Sequence, residues 1–195
     1  MERSRKKSLA CADRGLQIPG VSHSVRPAVA EDHPAIRLLL GSAFPDEDLS
    51  PLVDGLRIDP TSEPVEFVAV SEDLLGHVLF TRVSIEGAED LRASILSPLC
   101  VAPGARRGGV GSALVEAGLE ELRRRGRGLC FVLGDPAYYG RFGFHADTAR
   151  DLAPPHELPP AYEPAWQALW LGPPCGAAGR VVPAAALARR ELWTG

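Results

Sequence analysis

The order of hydrophobic and polar positions predicts two helices in the first third of the chain. Apolar residues recur at helical spacing between a start at Asp32 and a stop at Pro45. The positions that share this helix face are Ile36, Leu39, Leu40 and Phe44. A second, weaker helical pattern covers residues 49–56, and a short strand is predicted over residues 22–26.

The next segment has the spacing and the turn residues of β-strands. Strands are predicted over residues 65–70, 75–85 and 91–101, with polar turns between them. The third strand contains Pro98, which cannot donate a hydrogen bond to a ladder. It is therefore expected at a sheet edge or at a bulge.

A parallel strand–helix–strand unit follows. An amphipathic helix is predicted over residues 109–125, and the apolar run at residues 129–133 is typical of a strand covered on both faces. Strands 91–101 and 129–133 then become parallel neighbours, so the first of them is not an edge strand. Pro98 is accordingly expected to mark a bulge that splays these two strands apart.

The remaining pattern completes a single α/β domain. One helical turn followed by a strand is predicted over residues 135–144, and another strand over residues 166–170. Residues 1–20 lack periodicity and are expected to form a flexible arm, which leaves residues 21–195 as one domain. The predicted fold is α/β, with a central, mixed, splayed sheet flanked by helices.

Composition excludes several other classes. The 195 residues are 45% hydrophobic and 24% charged, which is ordinary globular usage and excludes disorder, collagen and coiled coils. No apolar run reaches the roughly 18 residues that span a bilayer, and no secretory signal is found at the N-terminus. The four cysteines lie far apart without the spacing of a metal site or a disulfide framework, so no metal and a reducing cytoplasm are expected.

Charge is unevenly distributed. Residues 31–90 carry fourteen acidic residues and three arginines, whereas residues 91–130 carry seven arginines and three glutamates. This asymmetry is compatible with two partners of opposite charge, and equally with ordinary solvated helix and loop faces. The basic block is small, mostly helical and free of interleaved aromatic residues, which argues against nucleic-acid binding.

The glycine-rich turn at residues 106–112 (RRGGVGS) predicts an anion-binding site. Glycines permit close approach of the backbone, and the helix N-terminus offers unpaired N–H groups. A nucleotide P-loop is excluded because Val110, and not lysine, follows Gly109. A Rossmann fingerprint is excluded because Leu114 occupies the position of its third small residue, and residues 127–131 offer no acidic side chain for a ribose.

Three segments together resemble the GNAT superfamily of N-acetyltransferases. The pattern Arg106-x-x-Gly109-x-Gly111 resembles its acetyl-coenzyme A signature. Residues 98–103 (PLCVAP) resemble its fourth strand, and residues 139–144 (YGRFGF) its Tyr-x-x-x-Gly-Phe ending. The resemblance covers about residues 23–172 and is greatest to the YhbS-like bacterial members of the family.

The resemblance implies acetyl-CoA as co-substrate and assigns its site. Unpaired backbone groups of the splayed strand would accept the pantetheine arm, and the amides of the turn would hold the pyrophosphate. The alternative for Arg106 and Arg107 is ordinary loop charge. The residues expected to bind the cofactor are Leu99, Cys100, Val101, Arg106, Arg107, Gly108, Gly109, Val110, Gly111 and Ser112.

Acetyl transfer to an amine also requires catalytic groups. The backbone N–H of Leu99 or Cys100 at the bulge is placed to stabilise the oxyanion. Tyr139 matches the family position of the acid that protonates the thiolate, and Tyr138 is the neighbour that could be confused with it. No single base is identified. The candidates are Glu66, Glu89 and Asp90, each acting through water, and His77 on the hairpin strand.

The predicted function is therefore acetyl-CoA-dependent N-acetyltransfer, directly to a primary amine of a small molecule or a peptide. The resemblance also implies a possible homodimer and gives no reason to expect a nucleic acid or a membrane as partner. Two alternatives stay open. One is a thiol-dependent acyltransferase with Cys100 as nucleophile, for which the sequence pairs no histidine and acid. The other is a noncatalytic acyl-CoA-binding or regulatory module, which the missing base permits.

Overall fold

The computed structural model describes residues 22–194. The arm predicted for residues 1–20 lies outside this range, and the single-domain boundaries stay a prediction. Within the range, the α-helices are α1 (His33–Ala43), α2 (Ser50–Ile58), α3 (Val110–Arg124), α4 (Pro136–Tyr139) and α5 (Glu191–Thr194). The strands are β1 (Ser24–Pro27), β2 (Val65–Val70), β3 (Leu74–Ile85), β4 (Ala93–Val101), β5 (Leu129–Leu133), β6 (Leu152–Ala153), β7 (Trp166–Trp170) and β8 (Gly179–Pro183).

A central mixed sheet organises these elements in the order β1-β2-β3-β4-β5-β7. All neighbours in this order are antiparallel except β4 and β5, which are parallel and joined through α3. The short strand β8 pairs with the end of β3 and with β6. The predicted α/β fold with a mixed sheet flanked by helices is confirmed.

Helices cover both faces of the sheet, because each central strand is apolar on both sides. Within β2, Val68 packs into the core under α1 and α2, whereas Val65 and Ala69 pack into the core under α3. The approach of α3 is close at Gly118, where an added Cβ would overlap the buried ring of Phe80.

The parallel pairing of β4 with β5 is short. Because it stops before β4 ends, the last residues of β4 lie beside an opening in the sheet. Only Ala93–Leu96 of β4 pair with β5, and the last pair joins Leu96 to Val132. The pairing of β4 with β3 shifts register between Val78 and Phe80, opposite the cis peptide Ser97–Pro98. The predicted bulge and splay are therefore confirmed. We call residues 97–101, beyond the last pair with β5, the β4 opening.

One expectation for the last third of the chain is wrong, and one strand there was not predicted. The helical turn of residues 135–144 is present as α4, but the predicted strand after it is wrong. The chain makes a 3₁₀ turn at Gly140–Phe142, and only His145 forms an isolated bridge, to Ala168. The pattern also did not predict β8, whose place depends on its distant partner β3. None of the helices in residues 22–194 is long and apolar enough to cross a membrane.

Candidate functional site

A cleft lies where β4 passes through the glycine-rich turn into α3. Its volume is about 170 Å³. It adjoins the β4 opening through Val101, which belongs to both. The residues that line it are Val101, Arg106, Arg107, Gly109, Gly111, Ser112, Tyr138 and Arg141. We call it the loop cleft.

The backbone of the turn adopts the conformation that an anion site requires. Gly109 has a φ of 83° and Arg107 a φ of 67°, so the chain turns sharply before α3 begins at Val110. The amides of the first turn of α3 have no acceptor within the helix and carry the positive end of its dipole. Three arginines at the rim, Arg106, Arg107 and Arg141, add positive charge. The loop cleft is thus suited to a phosphate-bearing ligand.

Tyr138 forms one wall of the loop cleft. Its phenol hydrogen-bonds with Ser112, and burial raises the pKa of the phenol. The guanidinium of Arg141 lies over the Tyr138 ring at 4.7 Å from the centroid, a cation–π contact. Sequence reasoning missed both residues as parts of the site, although both lie in or beside the Tyr-x-x-x-Gly-Phe segment.

The β4 opening presents backbone groups of alternate residues. Ala102 N donates to Leu75 O at 2.8 Å, so the amide of Ala102 points to β3. Strand alternation then directs the amide of Cys100 to β3, and the N–H and C=O groups of Leu99 and Val101 to the open side. In agreement, Val101 O accepts a hydrogen bond from Arg106 Nε at 3.3 Å. The backbone candidate for an oxyanion donor is therefore Leu99, and not Cys100.

Tyr139 lies in the interior, away from the loop cleft. Its side chain is 0% exposed and packs in the core that includes Leu99 and Val132, next to the end of the β4–β5 pairing. The rings of Tyr138 and Tyr139 meet edge to face, with centroids 5.0 Å apart. The two tyrosines thus have different surroundings: Tyr138 lines the loop cleft, whereas Tyr139 is enclosed in the core.

The candidate bases fall into two groups. Glu89 and Asp90 are exposed in the turn before β4, about 20 Å of extended strand away from the β4 opening. The side chains of Glu66 on β2 and His77 on β3 instead contact each other. Glu66 Oε1 lies 2.6 Å from His77 Nε2 and 2.5 Å from Arg57 Nη2. The sequence pattern did not indicate that Arg57 would pair with Glu66.

The predicted cofactor residues occupy three environments. Gly108 is half-buried within the turn. Leu99, Cys100 and Val110 have buried side chains, so they could contact a cofactor only through the backbone. The others line the loop cleft: Val101, Arg106, Arg107, Gly109, Gly111 and Ser112. In the described part of the chain, no group of three or more His, Cys, Asp or Glu side chains has an arrangement that could hold a metal ion.

Comparison with known families agrees with this geometry. A family model described as an acetyltransferase (GNAT) domain matches residues 24–146, more than half of the chain. The chain belongs to the GNAT family. This membership points to acyltransferase activity.

Curated relatives in the family are bacterial. The chain is 35% identical over 130 residues to the uncharacterised N-acetyltransferase YhbS of Escherichia coli (strain K12), a match that covers 66% of this chain and 77% of YhbS. It is also 35% identical over 135 residues to the uncharacterised N-acetyltransferase YjhQ of the same strain, over 67% of this chain and 75% of YjhQ.

Two solved structures of GNAT acetyltransferases are similar over most of the chain. The crystal structure of Escherichia coli YhbS in complex with CoA has a TM-score of 0.78 at 30% identity and covers 90% of this chain and 97% of YhbS. A GNAT acetyltransferase from Brucella melitensis in complex with acetyl-CoA has a TM-score of 0.70 at 30% identity, covering 85% of this chain and 98% of that one.

Proposed function

We propose that this protein is an acetyl-CoA-dependent N-acetyltransferase that passes the acetyl group directly to a primary amine in a ternary complex. The observation that carries the proposal is the continuity between the loop cleft and the β4 opening at Val101. One elongated ligand with phosphates at one end and amides along its length fits both parts. The CoA and acetyl-CoA complexes of the two similar structures support this choice of ligand.

The cofactor would bind in two sections. The pyrophosphate would accept hydrogen bonds from the amides of the first turn of α3, with Arg106 and Arg107 beside it. The pantetheine amides would pair with the outward-facing backbone groups of Leu99 and Val101, as an added strand pairs with a sheet edge. The bulge at Pro98 keeps β5 from occupying this edge.

The thioester carbonyl of acetyl-CoA would then lie near Leu99 in the β4 opening. The N–H of Leu99 is the proposed donor to the oxyanion, because it points to the open side. The phenol of Tyr139 is the proposed acid for the departing thiolate. Its place in the same buried core as Leu99 and Val132 supports that assignment.

The amine must be neutral to attack, although a free alkylamine titrates near 10. We assign removal of its proton to a water relay. Glu89 and Asp90 lie far from the β4 opening, and Glu66 is already shared by Arg57 and His77. The predicted homodimer and cytoplasmic location stay predictions.

The test combines binding and turnover. Calorimetric titration with acetyl-CoA measures the first requirement, and release of CoA in the presence of a panel of small amines and peptides measures the second. Binding with turnover on at least one amine is the expected result. Binding without turnover on any amine would favour a noncatalytic acyl-CoA-binding module, and absence of binding would overturn the assignment.

A further inference from the structure

Four polar side chains form a continuous chain of contacts across β4, β3, β2 and α2. Cys100 Sγ lies 4.0 Å from His77 Nδ1, and His77 Nε2 lies 2.6 Å from Glu66 Oε1. Glu66 in turn accepts hydrogen bonds from Arg57, the shortest at 2.5 Å. His77 and Cys100 are directly opposed in the β3–β4 register, so both side chains emerge on the same sheet face.

The proton positions in this chain follow from the charge of Glu66. Burial opposes its ionisation, but hydrogen bonds from His77 and Arg57 outweigh that effect and lower the pKa of Glu66 to about 2. An ionised Glu66 only accepts hydrogen bonds, so the ring proton of neutral His77 lies on Nε2. Nδ1 then carries a lone pair toward the thiol of Cys100. Burial lowers the pKa of His77, so the imidazole is neutral before any proton transfer, whereas the hydrogen bond and the negative charge of Glu66 act in the opposite direction and favour the protonated ring.

Cys100 belongs to the β4 opening, the strand segment along which the proposed cofactor would bind. Cys100 is the middle residue of three, and the backbone groups of its neighbours Leu99 and Val101 face the β4 opening. Its side chain packs in the core under α1 and α2, on the same strand that the pantetheine arm would follow.

Packing alone does not require these groups. The surrounding core is apolar, and a buried ion pair is generally no more stabilising than well-packed hydrophobic residues of similar volume. The other buried cysteine on the sheet, Cys130, shows the contrast: its thiol donates to Phe131 O at 3.7 Å, and burial raises its pKa far above the usual range. Only Cys100, among the described cysteines, has a histidine base with a carboxylate behind it.

We propose that Cys100 is a nucleophile that takes the acetyl group from acetyl-CoA and holds it as an acetyl-cysteine thioester when no amine is bound. His77 is the base in this step, and Glu66, fixed by Arg57, is a positioning residue that sets the tautomer of His77. The inference rests on the proposed function in one respect only, the binding of acetyl-CoA along β4.

The step balances without any further reactant. The Cys100 thiol gives its proton to His77 Nδ1 as Sγ attacks the thioester carbonyl carbon. The bond between that carbon and the CoA sulfur then breaks, and the CoA thiolate takes the proton from His77. One thioester is broken and one is formed, so no oxidant or energy source is needed.

The test is intact-mass spectrometry of the full chain after incubation with acetyl-CoA in a buffer without amines. We expect a stoichiometric gain of one acetyl group that neutral hydroxylamine removes, located at Cys100 by peptide mapping. The chain suits this experiment because its only lysines are Lys6 and Lys7, so competing amide products are few and resist hydroxylamine.

Matched variants separate the roles. Cys100→Ala should lose the labile acetyl group, whereas Cys130→Ala should keep it. His77→Gln should slow its appearance by at least tenfold, and Glu66→Gln should slow it while leaving the final stoichiometry unchanged. Calorimetric titration of each variant with acetyl-CoA verifies that the cofactor site is intact.

The outcomes distinguish this inference from the proposed function. Acetyl-CoA binding without acetylation of Cys100 would overturn the nucleophile and leave the direct transferase in place. A labile acetyl group that persists in Cys100→Ala would likewise overturn it. Absence of acetyl-CoA binding in the unmodified protein would overturn both.

Discussion

The phenol oxygen of Tyr138 lies directly above Gly111, 2.6 Å from where a Cβ on that glycine would be. The side chain of Val101 lies 3.5 Å from the same point. Gly111 is thus needed for space, whereas Gly109 is needed for its backbone conformation, with a φ of 83° and nothing within 4 Å of an added Cβ.

The first prediction uses this difference in space. Gly111→Val should fill the loop cleft and weaken acetyl-CoA binding by more than tenfold, or about 1.4 kcal/mol. The fold should survive, because the phenol of Tyr138 can move into the loop cleft. Calorimetry gives the affinity and thermal unfolding the integrity. The matched control is Gly104→Val, where an added Cβ meets nothing within 4 Å; equal effects at the two positions would refute the assignment of the loop cleft.

The second prediction separates the two adjacent tyrosines. Tyr139→Phe should lower kcat by about 10²–10⁴, the usual contribution of a general acid, with little change in acetyl-CoA affinity. Tyr138→Phe should have a much smaller effect on kcat and a larger one on affinity, because it removes the hydrogen bond to Ser112 in the loop cleft. If Tyr138→Phe were the more damaging to kcat, the acid would have to be reassigned.

The third prediction concerns the contact between α3 and the sheet. Gly118→Ala would place a methyl group against the buried ring of Phe80 and should destabilise the protein by about 1–3 kcal/mol. Gly41→Ala is the control on α1, where an added Cβ meets nothing and the higher helix propensity of alanine should stabilise by up to about 1 kcal/mol. Urea unfolding of both variants measures the difference, and opposite signs are expected.

The fourth prediction is a pH dependence of stability. Because the pKa of Glu66 is lowered from 4.5 to about 2, its ionised form favours the folded state at all pH values above 4.5. That contribution should disappear as the pH falls from about 4.5 to about 2. At pH 7, Glu66→Gln leaves Arg57 without this buried partner and should cost about 3–5 kcal/mol.

The measurement for Glu66 is urea unfolding across this pH range. The gap between the unmodified protein and Glu66→Gln should narrow toward low pH. Glu72→Gln, at an exposed turn between β2 and β3, provides the baseline for losing a carboxylate. A gap that did not change with pH would show that the carboxylate charge contributes nothing to stability.

The fifth prediction concerns the charge of the acceptor. We expect a cation that approaches from the acidic side of the chain, residues 31–90. With acetyl-CoA saturating, kcat/KM for a good acceptor should fall with added salt while kcat stays level, since the Debye length shortens from about 10 Å at 0.1 M to 3 Å at 1 M. Acceptors that are all neutral or anionic would contradict this.

The ion pairs in the structure indicate that the decrease of kcat/KM with added salt should be modest. Several of the carboxylates in residues 31–90 are paired with arginines and so contribute little to a long-range field. These are Asp32, Asp54, Glu63 and Glu66. A blockwise count of charge along the sequence does not show such pairing.

Local patterns predicted most of the fold. Residues 65–70 and 129–133 are strands with the predicted bounds, because runs of apolar and β-branched residues are limited by polar or glycine-containing turns. The splay of β4 from β5 was also predicted, and the observed pairing agrees with it: Pro98 requires an edge or a bulge, but the parallel unit places its strand between two other strands, so a bulge was the remaining choice. By contrast, β8 is short and depends on its pairing with the two-residue strand β6 and with residues 83–85 of β3, which lie about a hundred residues away in the sequence.

The site was predictable where function depends on the backbone, and less so where it depends on side-chain direction. Gly109 and Gly111 follow from the conformation and space that an anion site requires. The different directions of Tyr138 and Tyr139 depend on how α4 packs, which spacing does not determine. The contact of Cys100 with His77 depends on the β3–β4 register, and that of His77 with Glu66 on the β2–β3 register.

Because β4 leaves β5 after Leu96, the β5-facing edge of β4 has no strand beside it along the β4 opening, within the part of the chain that the structure describes. Such edges are templates for association with other chains. An acetyl-CoA molecule bound there would cover the edge and, at a hundred times its Kd, add about 2.7 kcal/mol to the stability of the folded state. The supply of one metabolite would then govern how long the protein persists and how readily it aggregates, in addition to how fast it turns over.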